Sequence, residues 1–151
     1  MDSEQYMGRW ISILYRYNQM YLSRELEPLN IGAGQHPILK VLFNRDGIHQ
    51  EDIVHSTCMD KGTVAKSIKR LLEQGYIVKK GCPEDRRACR IFLTSKAHEI
   101  KSDLDTVLSR WTDIVTADFS KEEKVLVFSL LQRMAYNAEQ YLLEKKVEDR
   151  K

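Results

Sequence analysis

No apolar run in the chain approaches the roughly 20 residues that a helix needs to cross a bilayer. The amino terminus, MDSEQYMGRW, is acidic and lacks the basic segment and long apolar stretch of a secretory signal, so a cytoplasmic location is expected. Cysteine is scarce and odd in number. Cys58, Cys82 and Cys89 cannot make a fully paired disulfide framework, and reduced thiols are the expectation. There is no phosphate-cradling glycine loop, no nucleophile elbow and no helical pair of metal-binding histidines, so neither an enzyme nor a cofactor is expected. His49, His55 and Cys58 lack the second ligand pair that a tetrahedral zinc site requires.

What is present is an uneven distribution of charge. The whole chain has a formal net charge of +2, but residues 60–96 hold ten Lys and Arg against four Asp and Glu, and the remainder is net negative. Segregation of this kind is what an anion-binding face looks like in sequence, and a solvated helix and hairpin shows part of it too. With 151 residues the chain is long enough for one domain with a real core.

Periodicity supplies the elements. Tyr6, Trp10, Ile13, Leu14, Tyr17 and Met20 follow helical spacing and predict a first helix from about Glu4 to Leu26. Met7, Ile11 and Leu22 lie off that stripe, so this helix should be covered on more than one side. A brief buried helix around Ile38, Leu39, Val41 and Leu42 should stop near Gly47, and a short helix follows at about Glu51 to Ser56. The next helix opens at Asp60, a good N-cap, and ends at Gly75. Its Val64, Ile68, Leu71 and Leu72 form one apolar stripe, while Thr63, Lys66, Ser67 and Arg70 repeat on a polar row centred roughly 135° away. Tyr76 to Lys80 and Arg90 to Thr94 read as two antiparallel strands. One helix carrying Leu104, Val107, Leu108 and Trp111 should follow Thr94 or Ser95, and a last helix starts at about Ser120.

Two short helices, the second with a polar outward row, followed by a basic hairpin, form the order of a winged helix-turn-helix. The fold class is therefore mainly α with a small antiparallel β-hairpin. A narrow minor groove concentrates negative potential, which suits a hairpin tip bearing Arg86 and Arg87 beside Asp85.

The run Asp60-Lys61-Gly62-Thr63-Val64-Ala65-Lys66-Ser67-Ile68-Lys69-Arg70-Leu71, then Gln74-Gly75-Tyr76-Ile77, Pro83-Glu84-Asp85-Arg86-Arg87 and Leu93-Thr94, resembles the MarR family of transcriptional regulators. Two positions depart from the family pattern: Cys82 before Pro83, and Ala97 where glycine is common. The resemblance implies a single domain over 1–151, with a DNA-binding lobe at about 30–96 and dimerisation helices at about 1–29 and 97–151. It also implies a homodimer, a palindromic double-stranded DNA operator, repression more than activation, and a small effector.

The candidate DNA-binding residues are Lys61, Thr63, Lys66, Ser67 and Arg70 for the major groove and its phosphates, and Asp85, Arg86 and Arg87 at the hairpin tip. In this reading Asp85 orients Arg87 by a charge-assisted hydrogen bond. Trp10, Tyr17 and His36 are candidates for a small aromatic effector. Cys82 and Cys89 bracket the loop and are candidates for a thiol redox switch. A winged-helix module whose arginines meet an acidic protein is the alternative to DNA binding.

Overall fold

The structure, a computed structural model, describes residues 6–81, 85 and 89–148. Its elements run α1 (Met7–Glu25), a 3-10 turn (Glu27–Leu29), α2 (His36–Asn44), β1 (Ile48–His49), α3 (Gln50–Thr57), α4 (Lys61–Glu73), β2 (Ile77–Lys80), β3 (Arg90–Leu93), α5 (Ser95–Glu99), α6 (Lys101–Val115) and α7 (Lys121–Glu148). Two compact units result, Met1–Trp111 and Thr112–Lys151.

In the first unit, apolar faces of α2, α3 and α4 converge with the sheet on one core. Leu39 and Leu42 of α2, Ile53 of α3, Val64 and Leu71 of α4, and Ile91 of β3 are all fully buried. Burying a side chain of this kind stabilises the fold by roughly 1.5–3 kcal/mol. Leu22 near the end of α1, Leu26 just beyond it, and Leu104 on α6 join the same cluster. Tyr21 reinforces the α1 attachment: its ring lies 5.0 Å from that of Trp111, and its hydroxyl donates to the Val107 carbonyl at 3.0 Å. Lys40 of α2 pairs with Asp105 of α6 at 2.6 Å.

Where the hairpin was expected, a three-stranded antiparallel sheet is found, in the order β1-β3-β2. Ile77 pairs with Leu93 and Lys80 with Arg90, while Ile48 pairs with Ile91 on the other side of β3. The extra strand is set by the turn before it. Gly47, expected as the end of α2, instead lies beyond the cap at Arg45, with a left-handed φ of 70°. Its N–H donates to the Ile91 carbonyl at 3.0 Å, its carbonyl accepts from the Arg90 guanidinium at 3.0 Å, and the neighbouring Asp46 carboxylate accepts from Leu93 N–H at 2.9 Å.

One further expectation needs correction. The helix after Thr94 is broken into α5 and α6 at Ile100, although Thr94 caps α5 as expected by accepting from Ala97 N–H. On α1, Leu22 is buried, while Trp10, Leu14 and Met20 are 52%, 52% and 67% exposed in the single chain, so among the described residues nothing covers that side.

The second unit is dominated by α7, whose start is fixed by a reciprocal capping box. Ser120 N–H donates to the Glu123 carboxylate at 2.7 Å, and Glu123 N–H donates back to the Ser120 hydroxyl at 3.1 Å. Along α7, Val125, Phe128, Leu131 and Tyr141 are all exposed.

Gly47 and Gly75 both hold positive φ, 70° and 76°, but their surroundings differ. A Cβ on Gly47 meets the Phe92 ring at 2.6 Å, whereas among the described residues one on Gly75 finds nothing nearer than 4.0 Å. Gly75→Ala is therefore expected to cost about 1 kcal/mol from backbone strain alone, and Gly47→Ala roughly 2–4 kcal/mol. Urea denaturation of the two variants checks the order; equal losses exclude the Phe92 contact as the cause.

Candidate nucleic-acid interface

The central element is α4, and its orientation follows from which residues it buries. Val64, Ile68 and Leu71 turn inward with Ser67, so the line opposite is left to Gly62, Lys66, Lys69 and Glu73. Lys61, Thr63 and Arg70 are exposed beside this ridge. Four cations thus stand on one 13-residue helix, none of them in the core. The start of the helix is fixed by Asp60, whose carboxylate accepts from Thr63 N–H at 2.8 Å and from the Thr63 hydroxyl at 2.5 Å. These bonds, the side-chain one first, hold the Asp60 carboxyl below its ordinary range.

Ser67 does not stand on the outward row where the spacing put it. It is 8% exposed, and its hydroxyl faces Gly34, within 3.5 Å of where a Cβ on that glycine would lie. A row at i, i+3, i+4 and i+7 is wide enough to wrap past the edge of the exposed face, and Ser67 falls on the buried side. Conversely, Lys69 belongs to the ridge and was absent from the expected set. Taking the line opposite the middle of the apolar stripe, instead of a second row at helical spacing, identifies it.

The strands extend the cationic surface. Lys79 and Lys80 on β2 are exposed; the Lys79 ammonium reaches the Gln50 side-chain carbonyl at 3.5 Å, and that of Lys80 lies 5.2 Å from the Phe92 ring centroid. Between α3, the start of α4 and the sheet is a cleft of about 680 Å³ whose lining includes His49, Gln50, Val54, Lys61, Lys79 and Cys89. Asp85 is exposed in the loop between β2 and β3. Arg86, Arg87 and Cys82 lie outside the described residues. Cys89 is half-buried, with its sulfur 3.9 Å from the Asp85 carbonyl and its own carbonyl 3.2 Å from His49 Nδ1. Cys58, in the turn joining α3 to α4, is exposed and left-handed at a φ of 54°.

The residues singled out for an effector sit elsewhere. Trp10 and Tyr17 are 52% and 58% exposed on α1. His36 is half-buried at the first position of α2, with Nδ1 2.8 Å from the Ala33 carbonyl. Burial pushes its pKa down, the Ala33 contact opposes this, and the nearby Lys40 adds to the lowering.

Because the folded-state pKa of Asp60 is depressed, its contribution to stability is fully present above the ordinary value of 3.8 and is lost as the pH falls through the lower folded-state value. Asp60→Ala is expected to lower the melting temperature at neutral pH, with the difference shrinking below that range. Asp60→Asn keeps an acceptor oxygen at every pH and should flatten the dependence. Thermal melts across the acid range check this, and a pH-independent gap between wild type and Asp60→Ala refutes it.

Comparison with known proteins bears on what this surface serves. The MarR family matches residues 31–89. A MarR transcriptional regulator from Methanosarcina mazei Go1 is 35% identical with a TM-score of 0.83, the match covering 91% of this chain and 99% of that one. The HTH-type transcriptional regulator BilQ of Clostridium symbiosum (strain WAL-14163) is 25% identical over 143 residues, 95% of this chain and 99% of BilQ. A mutant MarR from E. coli, solved in complex with operator DNA, shares the fold at 21% identity and a TM-score of 0.74, over 85% of this chain and 92% of its own. These relatives are transcriptional regulators and not enzymes. With its three-stranded wing and exposed basic α4, the chain belongs to the MarR family, as a transcriptional regulator with a winged-helix DNA-binding fold.

Proposed function

We propose that the protein acts in the cytoplasm as a homodimeric repressor that places α4 of each protomer in successive major grooves of a palindromic operator. The observation that carries this reading is the ridge on α4. Lys66 and Lys69 stand opposite the buried stripe, with Lys61, Thr63 and Arg70 beside them, so the helix presents cations and hydrogen-bonding groups wherever its core contacts do not. An α-helix fits the major groove, and lysines along it neutralise phosphates and release counterions. The operator complex of the E. coli relative supports the same use of the fold here. From the sequence motif, Arg87 is assigned to the minor groove, Asp85 to orienting it and Arg86 to phosphate.

Dimerisation is supported by apolar surface that a single chain leaves open. Trp10, Ile11 and Leu14 on α1, and Val125, Leu126 and Leu131 on α7, are each at least half exposed. Exposed apolar rows of this kind, one on each helix, mark interfaces, and a second copy is the partner that a palindromic site calls for. A small aromatic effector bound near Trp10, Tyr17 and His36 would change the spacing of the two α4 helices, which must match a helical turn of DNA.

Lys66→Ala and Lys69→Ala are each expected to lower affinity for the operator and to reduce the slope of log affinity against log salt by about 1. An unchanged slope in both removes α4 from the DNA interface.

Leu14→Glu and Leu131→Glu change positions exposed in the single chain, 52% in each case, so the protomer itself should keep its fold. Sedimentation equilibrium is expected to show a dimer for the wild type and a shift toward monomer, with operator binding lost, for these variants. A wild type that sediments as a monomer while binding a palindromic duplex refutes the dimeric reading.

A further inference from the structure

The C-terminal end of α4 is tied to the connection between α1 and α2 by hydrogen bonds of side-chain amides. Gln74 caps α4 at its carboxyl end, and its backbone N–H donates to the Arg70 carbonyl at 2.9 Å. Its side chain points away from the helix. The Gln74 carbonyl oxygen of the amide accepts from Gln35 Nε2 at 3.3 Å, and Gln74 Nε2 donates to the backbone carbonyl of Asn30. Gln35 is only 3% exposed, and its own amide oxygen accepts from Gly32 N–H at 2.6 Å. The two glutamines therefore join the turn at 30–35 to the C-cap of α4.

Around this pair the same connection is held once more. Tyr76, just past α4, donates its hydroxyl to the Leu29 carbonyl at 2.5 Å, and burial pushes the phenol pKa up, so it stays a donor. Lys96 donates to the Gln74 backbone carbonyl at 2.6 Å and lies 4.6 Å from the Tyr76 ring centroid. Two turns back along α4, Ser67 faces Gly34 of the same turn. Residues 67 and 74 are separated by about 10 Å along a helix axis. Val64, Ile68 and Leu71 already seat α4 in the core, and the Gln74 bonds, with Ser67 close to Gly34, add support on the side of the turn at 30–35.

We propose that Gln35 and Gln74 form a latch that sets the tilt at which α4 meets DNA, making them positioning residues for base recognition although neither touches the duplex. The proposal rests on the assignment of α4 to the major groove. It separates two properties that α4 contributes. Attraction to phosphate comes from Lys61, Lys66, Lys69 and Arg70, and tolerates small changes of angle because Coulomb attraction is weakly directional. Discrimination between bases depends on hydrogen-bond geometry at base edges, and a change in tilt removes it.

The test uses the full-length protein, the duplex that wild type enriches from a random-sequence pool, and poly(dI-dC) as the unselected duplex. Gln74→Leu leaves every cation in place and alters a half-buried side chain, so the fold should survive; thermal melts confirm it. Affinity for the enriched duplex is expected to fall about tenfold, with affinity for poly(dI-dC) and both salt slopes unchanged. Gln35→Leu should show the same selective loss, and the double variant should lose no more than the worse single one, because both act through one bond. Gln74→Glu keeps the acceptor for Gln35 but not the donor to Asn30, and should fall between wild type and Gln74→Leu.

An unchanged ratio of the two affinities in Gln74→Leu overturns the latch, as does a parallel fall in both that tracks a lowered melting temperature. If Lys69→Ala weakens binding while Gln74→Leu does not alter selectivity, the latch alone fails. If wild type enriches no sequence and binds no duplex, the assignment of α4 to DNA fails with it, and that outcome is visible before any substitution is made.

Discussion

Burial of one face of α4 is the constraint from which the rest of the surface follows. Val64, Ile68 and Leu71 are fixed in the core by α2, α3 and β3, and a helix has only one side left once three such residues point inward. Lys66 and Lys69 are presented outward because the core permits no other rotation of the helix. The same packing places Asp60 at the N-terminus, where a carboxylate satisfies the first N–H groups, and leaves Gln74 at the other end beside the turn that follows α1. The exposed cationic ridge, the Asp60 cap and the Gln74 contacts are consequences of a single burial pattern.

How much of this was legible in the sequence depended on how many residues carried each signal. The bounds of α4 were readable because a cap, an apolar stripe and a glycine stop agreed over more than a dozen positions. β1 was not, because Ile48–His49 is too short to display a period; it exists through Gly47, Asp46 and Arg90, which act across more than 40 residues of chain. The break between α5 and α6 leaves no glycine or proline behind, and Ile100 continues in helical backbone geometry, so local composition offers no mark of it. Ser67 shows the other limit. Its hydroxyl fits a DNA-facing row as well as a buried turn, and only the proximity of Gly34, brought there by the fold, decides between them.

The apolar rows of α1 expose the same limit at larger scale. Helical spacing marks Trp10, Leu14 and Met20 as one apolar face, and nothing in a linear pattern says whether its cover comes from the same chain. In the structure Leu22 and Tyr21 near the end of α1 are held by the first unit, while the preceding turns leave their apolar side chains open. Amphipathicity is a statement about demand for burial, and supply is a property of tertiary or quaternary arrangement.

In the proposed reading, charge and geometry divide the labour of this fold. The excess of Lys and Arg in residues 60–96 acts through a field that decays over about 10 Å at moderate salt and does not distinguish one base pair from another. Selectivity has to come from holding a helix to within a hydrogen bond's tolerance of direction, and uncharged groups do that better than lysines because their bonds are short and directional. That is the physical reason to look for determinants of sequence preference in Gln35, Gln74 and Tyr76, a layer behind the cations. A buried amide that satisfies a loop N–H on one side and a helix cap on the other transmits position without adding charge. The surface that attracts DNA can then be changed independently of the frame that aims it.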